Sequence, residues 1–340
     1  MRPSLADALT GCLLGQALGD ALGFVVEAEP PEIAGAYVED CLRAGQAGSR
    51  SHPHFPFGQY SDDTQLAREL LCSIRATDGW DPADFARRIG ALFEAGRAVG
   101  AGPGTRSAAE RLVAGVMWED AGRPPPYAGN GSAMRAAPIG VLFRDDLETM
   151  RHVAVEQSCI THKDRRCAAG SLVVAGAAAL AASGESLHPK GFLERLAEWA
   201  EEEDQSVADA VRGVASWLDL PPVEAARALH RSGLDSSVAD CWRGVSSFVV
   251  PSVAWSLYAF LHSPDDFWTI VCTAIGTGGD TDTMAAIAGA IAGARGGVAV
   301  LPGPLLGVLN DHGTWRTPEL TSLACDCARI AAIARNPPPS

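Results

Sequence analysis

Apolar and small residues fill long stretches of the chain with the rhythm of helices rather than strands. Residues 5–19 are mostly apolar or small, and Gly11, Gly15, Gly19 and Gly23 recur at every fourth position. On a helix this spacing makes a ridge without side chains, over which a second helix can pass closely. Glycine inside a helix costs about 1 kcal/mol against alanine, so a run of them implies a packing purpose. The device returns at 284–294, where Ala286, Ala290 and Ala294 make a small stripe and Ile287 and Ile291 an apolar one. Further helices are predicted over 64–76, 82–99, 105–118, 165–182, 190–218, 222–232, 249–262 and 264–275, with Pro82, Pro221 and Pro264 suited to helix starts. Alternating strand patterns are essentially missing, and loops rich in glycine and proline fall at 28–60, 100–104, 121–131 and 276–279. With no repeat and no linker, residues 1–340 are read as a single, compact, all-α domain.

Composition narrows the function classes. The 41 acidic and 27 basic side chains give a formal charge of −14, which argues against a general nucleic-acid binder with a basic face. The nine cysteines are an odd number without a Cys-x-x-Cys pair, and most lie in apolar segments. A reducing, cytoplasmic setting is therefore expected. Cys325-Asp326-Cys327 has no second Cys/His cluster beside it, and His52-Pro53-His54 reads as a surface turn. No signal peptide and no membrane span is expected, because Asp7 interrupts the first apolar run and Asp20 lies at its end. A monomer is the expected state.

Candidate chemistry lies in the loops. Ser61-Asp62-Asp63-Thr64 precedes an apolar-periodic segment, and Gly276-Thr277-Gly278-Gly279-Asp280-Thr281-Asp282-Thr283 leads into another. Each has a plain reading as a helix cap. If the two loops meet, four aspartates crowd together, with Glu27 as a fifth acid. Two carboxylates about 4 Å apart repel by roughly 4 kcal/mol at an effective dielectric of 20, so such a cluster needs protonation or a counter-charge. Only oxygen donors are on offer, which indicates hard ions (Mg²⁺, Mn²⁺ or Ca²⁺) rather than zinc. Gly129-Asn130-Gly131-Ser132-Ala133-Met134-Arg135 is a turn suited to phosphate or ribose oxygens, and it enters a helical run interrupted at Pro138. The loop around Gly102 (100–105) is a weaker signal of the same kind, and Thr161-His162 offers a lone histidine. An Asp-Asp-x-x-Asp prenyl-transfer motif fails, since Leu66 stands where its third aspartate belongs.

In this order, Gly19-Asp20-Ala21-Leu22-Gly23 with Glu27, Ser61-Asp62-Asp63-Thr64, the 129–135 turn, Thr161-His162 and Gly278 to Thr283 resemble the ADP-ribosylglycohydrolases, over about residues 5–310. The resemblance implies an orthogonal multi-helix all-α fold with two Mg²⁺ (or Mn²⁺) ions at the base of an ADP-ribose cleft. It implies Ser61, Asp62, Asp63, Asp280, Asp282 and Thr283 as metal ligands. Asn130, Gly131, Ser132 and Met134 would line the pyrophosphate and ribose, and His162 would contact the ligand. Tyr60 and Tyr127 are candidates for stacking on adenine. Glu27 and Asp63 are the candidate catalytic carboxylates. The partner is then ADP-ribose or an ADP-ribosylated substrate, with the acceptor left open. The competing expectation is a non-catalytic, crystallin-like relative, which predicts lost metal ligands; none is lost.

Overall fold

A computed structural model describes residues 2–229 and 243–335. Its helices are α1 (Leu5–Gly23), α2 (Pro31–Tyr37), α3 (Asp62–Thr77), α4 (Pro82–Glu94), α5 (Pro103–Val113), α6 (Trp118–Ala121), α7 (Ala137–Leu142), α8 (Leu147–Thr161), α9 (Arg165–Ala181), α10 (Pro189–Glu201), α11 (Gln205–Trp217), α12 (Pro222–Leu229), α13 (Val249–His262), α14 (Phe267–Gly276), α15 (Thr281–Gly296), α16 (Gly303–Leu306) and α17 (Thr317–Arg335). Among the described residues only isolated β-bridges occur, so the all-α expectation holds.

The glycine ridge finds its partner in α15. A Cβ placed on Gly11, Gly15, Gly19 or Gly23 would come within 2.3, 2.4, 2.0 and 2.3 Å of the carbonyl oxygens of Gly293, Gly289, Ala285 and Thr281. The two helices therefore run antiparallel, backbone on backbone, in a register set turn by turn by the absent side chains. The contacting stripe is Thr281, Ala285, Gly289 and Gly293, one residue before the Ala286, Ala290 and Ala294 stripe expected. Both helices are apolar all round and buried, so the sequence gives no outside face from which to orient the stripe. Helix α1 is long and apolar enough to cross a membrane by length and composition alone, and its apolar stretch is buried among the other helices, as in a core helix.

This pair places the acids. Because Gly23 sits on Thr281, whose hydroxyl donates to the Gly23 carbonyl (2.8 Å), the end of α1 meets the start of α15. Helix α3 joins them at its own N-terminus, and α7, α9, α13, α14 and α17 also pack around the pair. Elsewhere local capping follows ordinary rules: the Asp81 carboxylate accepts from Ala83 and Asp84 N–H ahead of Pro82, and the Asp204 carboxylate accepts from Ser206 and Val207 N–H.

Several boundaries differ from the sequence reading. The 190–218 stretch is two helices, broken at 202–204, where the Asp204 cap restarts the chain as α11. Pro138 lies in the first turn of α7 and starts that helix instead of interrupting it, since its missing N–H would be unpaired there anyway. The 28–60 loop contains α2 and a wider helical turn at Val38–Arg43. Helices α6, α8, α16 and α17 are additional to those predicted. The end of the predicted 222–232 helix lies partly outside the described residues.

Candidate active site

Three helix N-termini border one cleft of ≈ 270 Å³, lined by Glu27, Asp62, Asp63, the 100–105 segment, Tyr127, Asn130, His162, Asp280 and Asp282, among others. They belong to α3, α5 and α15, so the positive ends of three helix dipoles meet there.

At α3 the cap and the site are one structure. Ser61 is the N-cap: Asp63 N–H donates to its Oγ (3.3 Å), and its hydroxyl donates back to Asp63 Oδ2 (3.0 Å). Asp63 Oδ1, buried, has no partner. Thr283, from α15, donates its hydroxyl to Asp63 Oδ2 (3.3 Å), which joins the two acidic loops directly. Asp280 stands at the N-cap position of α15 but makes no capping bond, so its carboxylate is left for the cleft. Single oxygens of Glu27, Asp280 and Asp282 lie within 4.8 Å of one another.

The backbone around these acids is forced. Gly278 and Gly279 have φ of 68° and 85°, and a Cβ on Gly279 would lie 2.1 Å from the Val245 oxygen. Only glycine meets both demands. Ala28 N–H donates to Gly279 O (2.8 Å) and Gly279 N–H to Glu29 O (2.9 Å), a clasp that holds Glu27 beside Asp280 and Asp282. Ala28 itself is left-handed, at φ 63°, a conformation that costs a non-glycine residue on the order of 1 kcal/mol.

Sequence reading placed Asp20 only within a motif; the structure gives it a task. Its carboxylate, fully buried, accepts from Ser61 N–H (2.8 Å), Thr64 N–H (3.0 Å) and the Thr64 hydroxyl (2.6 Å), and so clamps the first turn of α3. The available signal was an aspartate at the end of an otherwise apolar helix.

Burial first, and repulsion from neighbouring carboxylates second, push the acids Asp20, Glu27, Asp62, Asp63 and Asp280 above the ordinary carboxylate range. Burial also raises Asp282. The cluster thus demands protons or cations. Oxygen-only donors, the orphaned Asp63 Oδ1 and the three convergent oxygens fit hard divalent cations.

Across the cleft, His162 is buried, and burial with nearby Arg135 and Arg123 lowers its pKa to about 3. It is therefore neutral. Arg135 Nη2 donates to Thr161 Oγ1 (2.8 Å), whose own hydroxyl is then free to donate to His162 Nδ1 (2.8 Å). This relay leaves the proton on Nε2, which faces the 104 and 131 backbone, where glycine leaves room for it. Tyr127 lies beside His162 (centroids 5.9 Å apart) and carries the Arg123 guanidinium at 3.9 Å from its ring centre. Gly102 is the N-cap of α5 and supplies no capping side chain, while the Gly104 N–H donates to the Tyr127 hydroxyl (3.3 Å).

Of the expected ligand-binding residues, Gly102, Asn130, Gly131, Met134 and His162 line the cleft. Ser132 does not. Its hydroxyl is spent on Ser158 (2.9 Å) and Ser171 (3.1 Å) behind the turn, so its side chain is structural. Asn130 donates its amide to Asp280 and to Ser252, which ties it to the acids rather than leaving it free for a pyrophosphate. Tyr60 is buried and donates to the Trp315 carbonyl (2.9 Å), away from the cleft; Tyr127 remains as the candidate stacking ring. Cys325 is exposed while Cys327 is buried and donates to Leu71 O, so the pair makes no metal site.

Comparison with known proteins agrees with this geometry. The family model described as ADP-ribosylglycohydrolase matches residues 1–336. The chain belongs to the ADP-ribosylglycohydrolase family. It is 30% identical over 325 residues to "ADP-ribosylhydrolase ARH3" of Bos taurus, covering 86% of each chain. It is 27% identical over 313 residues to the "ADP-ribosyl-[dinitrogen reductase] glycohydrolase" of Rhodospirillum rubrum, covering 91% of this chain and 92% of that one. A solved "ADP-ribosylglycohydrolase-related protein complex" superposes with a TM-score of 0.72 at 27% identity, covering 96% of this chain and 99% of that chain. As an ADP-ribosylglycohydrolase, the protein is a hydrolase of the glycosidic bond between ADP-ribose and an acceptor.

Proposed function

We propose that this ADP-ribosylglycohydrolase works with two divalent cations, Mg²⁺ or Mn²⁺, held by Ser61, Asp62, Asp63, Asp280, Asp282 and Thr283, and that Glu27 handles the proton of the hydrolytic step. The observation that carries the reading is the buried carboxylate cluster itself. It joins two sequence-distant loops, and it contains an unpartnered oxygen, Asp63 Oδ1, in a region where every polar atom otherwise needs a partner. Such ions, when bound, supply the positive charge that orients ribose hydroxyls and acidifies water.

The chain's own residues set the rest. The ADP-ribose diphosphate lies against the N-terminal turn of α5 at Gly102–Thr105, where the helix dipole favours phosphate oxygens. The Nε2–H of His162 donates to an acceptor on the nucleotide, and Tyr127 offers a ring face for the base. The distal ribose then reaches the acids. Glu27 is held against Asp280 and Asp282 by the Ala28–Gly279 clasp, and burial with these neighbours raises its proton affinity, as a general base or leaving-group acid requires. Asp63 is the second carboxylate at the reacting centre.

Glu27→Gln keeps the side-chain shape and removes the proton chemistry. Calorimetry on the Mg²⁺-loaded variant is expected to show ADP-ribose binding near the wild-type value, while kcat falls by roughly 10²-fold or more. Wild-type turnover in this variant would move the proton-handling role to Asp63.

A further inference from the structure

We propose that Asp311 and Gln65 are positioning residues for this cleft: through one line of hydrogen bonds they set the 100–105 wall and the backbone of Asp62 together. The inference rests on the proposed placement of the diphosphate at Gly102–Thr105 and of a cation at Asp62. Asp311 is fully buried and lies in the turn before α17, far in sequence from both. Asp311 N–H on Thr314 O (2.7 Å) and Thr314 N–H on Asp311 O (2.9 Å) close that turn, and Asn310 N–H ties it to Gly58 O (3.0 Å). Oδ2 of the Asp311 carboxylate accepts from Arg68 Nη1 (2.6 Å), and Oδ1 accepts from Gln65 Nε2 (2.8 Å). Gln65 and Arg68 stand one turn apart on α3, so both reach the same carboxylate.

A carboxylate only accepts hydrogen bonds. Gln65 must therefore turn Nε2 toward Asp311, which gives its amide one orientation. Nε2 also donates to Arg97 O (2.9 Å), and Oε1 is left to accept from Val99 N–H (3.0 Å). Val99 O in turn accepts from Asp62 N–H (2.7 Å), a first-turn N–H of α3 that no helical carbonyl reaches. The 97–99 segment is thus pinned to the start of α3 by a side chain and by backbone. The chain leaves it at Gly100 (φ 76°), where a Cβ would lie 3.3 Å from Ser61 Cβ and 3.7 Å from Asp62 Oδ1, and then runs along the cleft as its wall. A shift of 97–99 therefore moves the wall and Asp62 together. A buried ion pair adds little net stability over apolar side chains of the same shape; what this one supplies is direction. Arg68 also donates to Glu69 (2.9 Å), so neutralising Asp311 leaves its charge with a second carboxylate.

The test compares wild type, Gln65→Met, Asp311→Asn, the double variant of these two, and Leu196→Ala, a core substitution in α10 that does not line the cleft. Calorimetry well below each melting temperature gives Kd for Mg²⁺ and, in saturating Mg²⁺, Kd for ADP-ribose. Gln65→Met and Asp311→Asn are each expected to weaken binding of both roughly tenfold. The double variant should be no weaker than Gln65→Met, because the two side chains act through one link. Leu196→Ala should lower the melting temperature and leave both affinities unchanged. Gln65→Met keeps the Arg68–Asp311 pair and carries the test if Asp311→Asn does not fold. Wild-type affinities in a folded Gln65→Met, losses that add in the double variant, an equal loss in Leu196→Ala, or a Gln65→Met that does not fold overturns the assignment. A wild type that binds no Mg²⁺ or no ADP-ribose overturns the reading of the cleft itself.

Discussion

Asp20 shows how one side chain can serve a site it does not enter. Its carboxylate accepts three hydrogen bonds from the first turn of α3 and so fixes where Ser61, Asp62 and Asp63 project. Asp20→Asn keeps the volume but replaces one acceptor oxygen with a donor facing those N–H and O–H groups. Outer partners of metal ligands typically govern 10–100-fold in metal affinity. Titration of Mg²⁺ into Asp20→Asn is expected to show weakening by about tenfold or more; unchanged affinity would make Asp20 a packing residue only. At this scale the sequence was informative about identity and silent about direction. The acids, His162 and the 129–134 turn could all be found by residue type and spacing. That the Ser132 hydroxyl turns inward to Ser158 and Ser171 could not, because a serine in a glycine turn reads alike whichever way it points.

The helix pair α1 and α15 is the element on which the site depends. Four glycine positions on α1 let its backbone rest on α15, which brings the two motifs Gly19–Gly23 and Asp280–Thr283 together over a sequence separation that no local signal bridges. Gly19→Ala, although alanine is the better helix former by about 1 kcal/mol, is expected to destabilise by roughly 1–3 kcal/mol through overpacking against the Ala285 carbonyl. Gly191→Ala in α10, where an added Cβ meets nothing within 4 Å, is expected to be neutral or to stabilise by about 0.5–1 kcal/mol. Thermal melting of the two variants checks this; equal melting temperatures would remove the backbone contact as the reason for the glycine ridge. The ridge was legible because glycine inside a helix is costly. The matching stripe was read one position off, because a helix buried on every side carries no polar face to mark its outside.

At the scale of the whole molecule, the fold concentrates like charges that would repel one another if left to themselves. Carboxylates from α1, the Phe24–Val26 turn, α3 and the α14–α15 loop converge, and the N-termini of α3, α5 and α15 border the same cleft. The buried acids with the positive ends of helix dipoles beside them support the proposed arrangement, hard ions at one end of the cleft and a sugar diphosphate at the other. The loops carrying this chemistry were legible from sequence because each mixes acids with glycine ahead of an apolar run. The most direct test of the account is the rate of ADP-ribose release from an ADP-ribosylated substrate against free Mg²⁺, for wild type and Asp282→Ala. The account predicts no release in EDTA, a saturable rise with Mg²⁺ for the wild type, and a curve for Asp282→Ala displaced to higher Mg²⁺ with a lower plateau. A full rate in EDTA, or an Asp282→Ala curve that overlays the wild type, would contradict it.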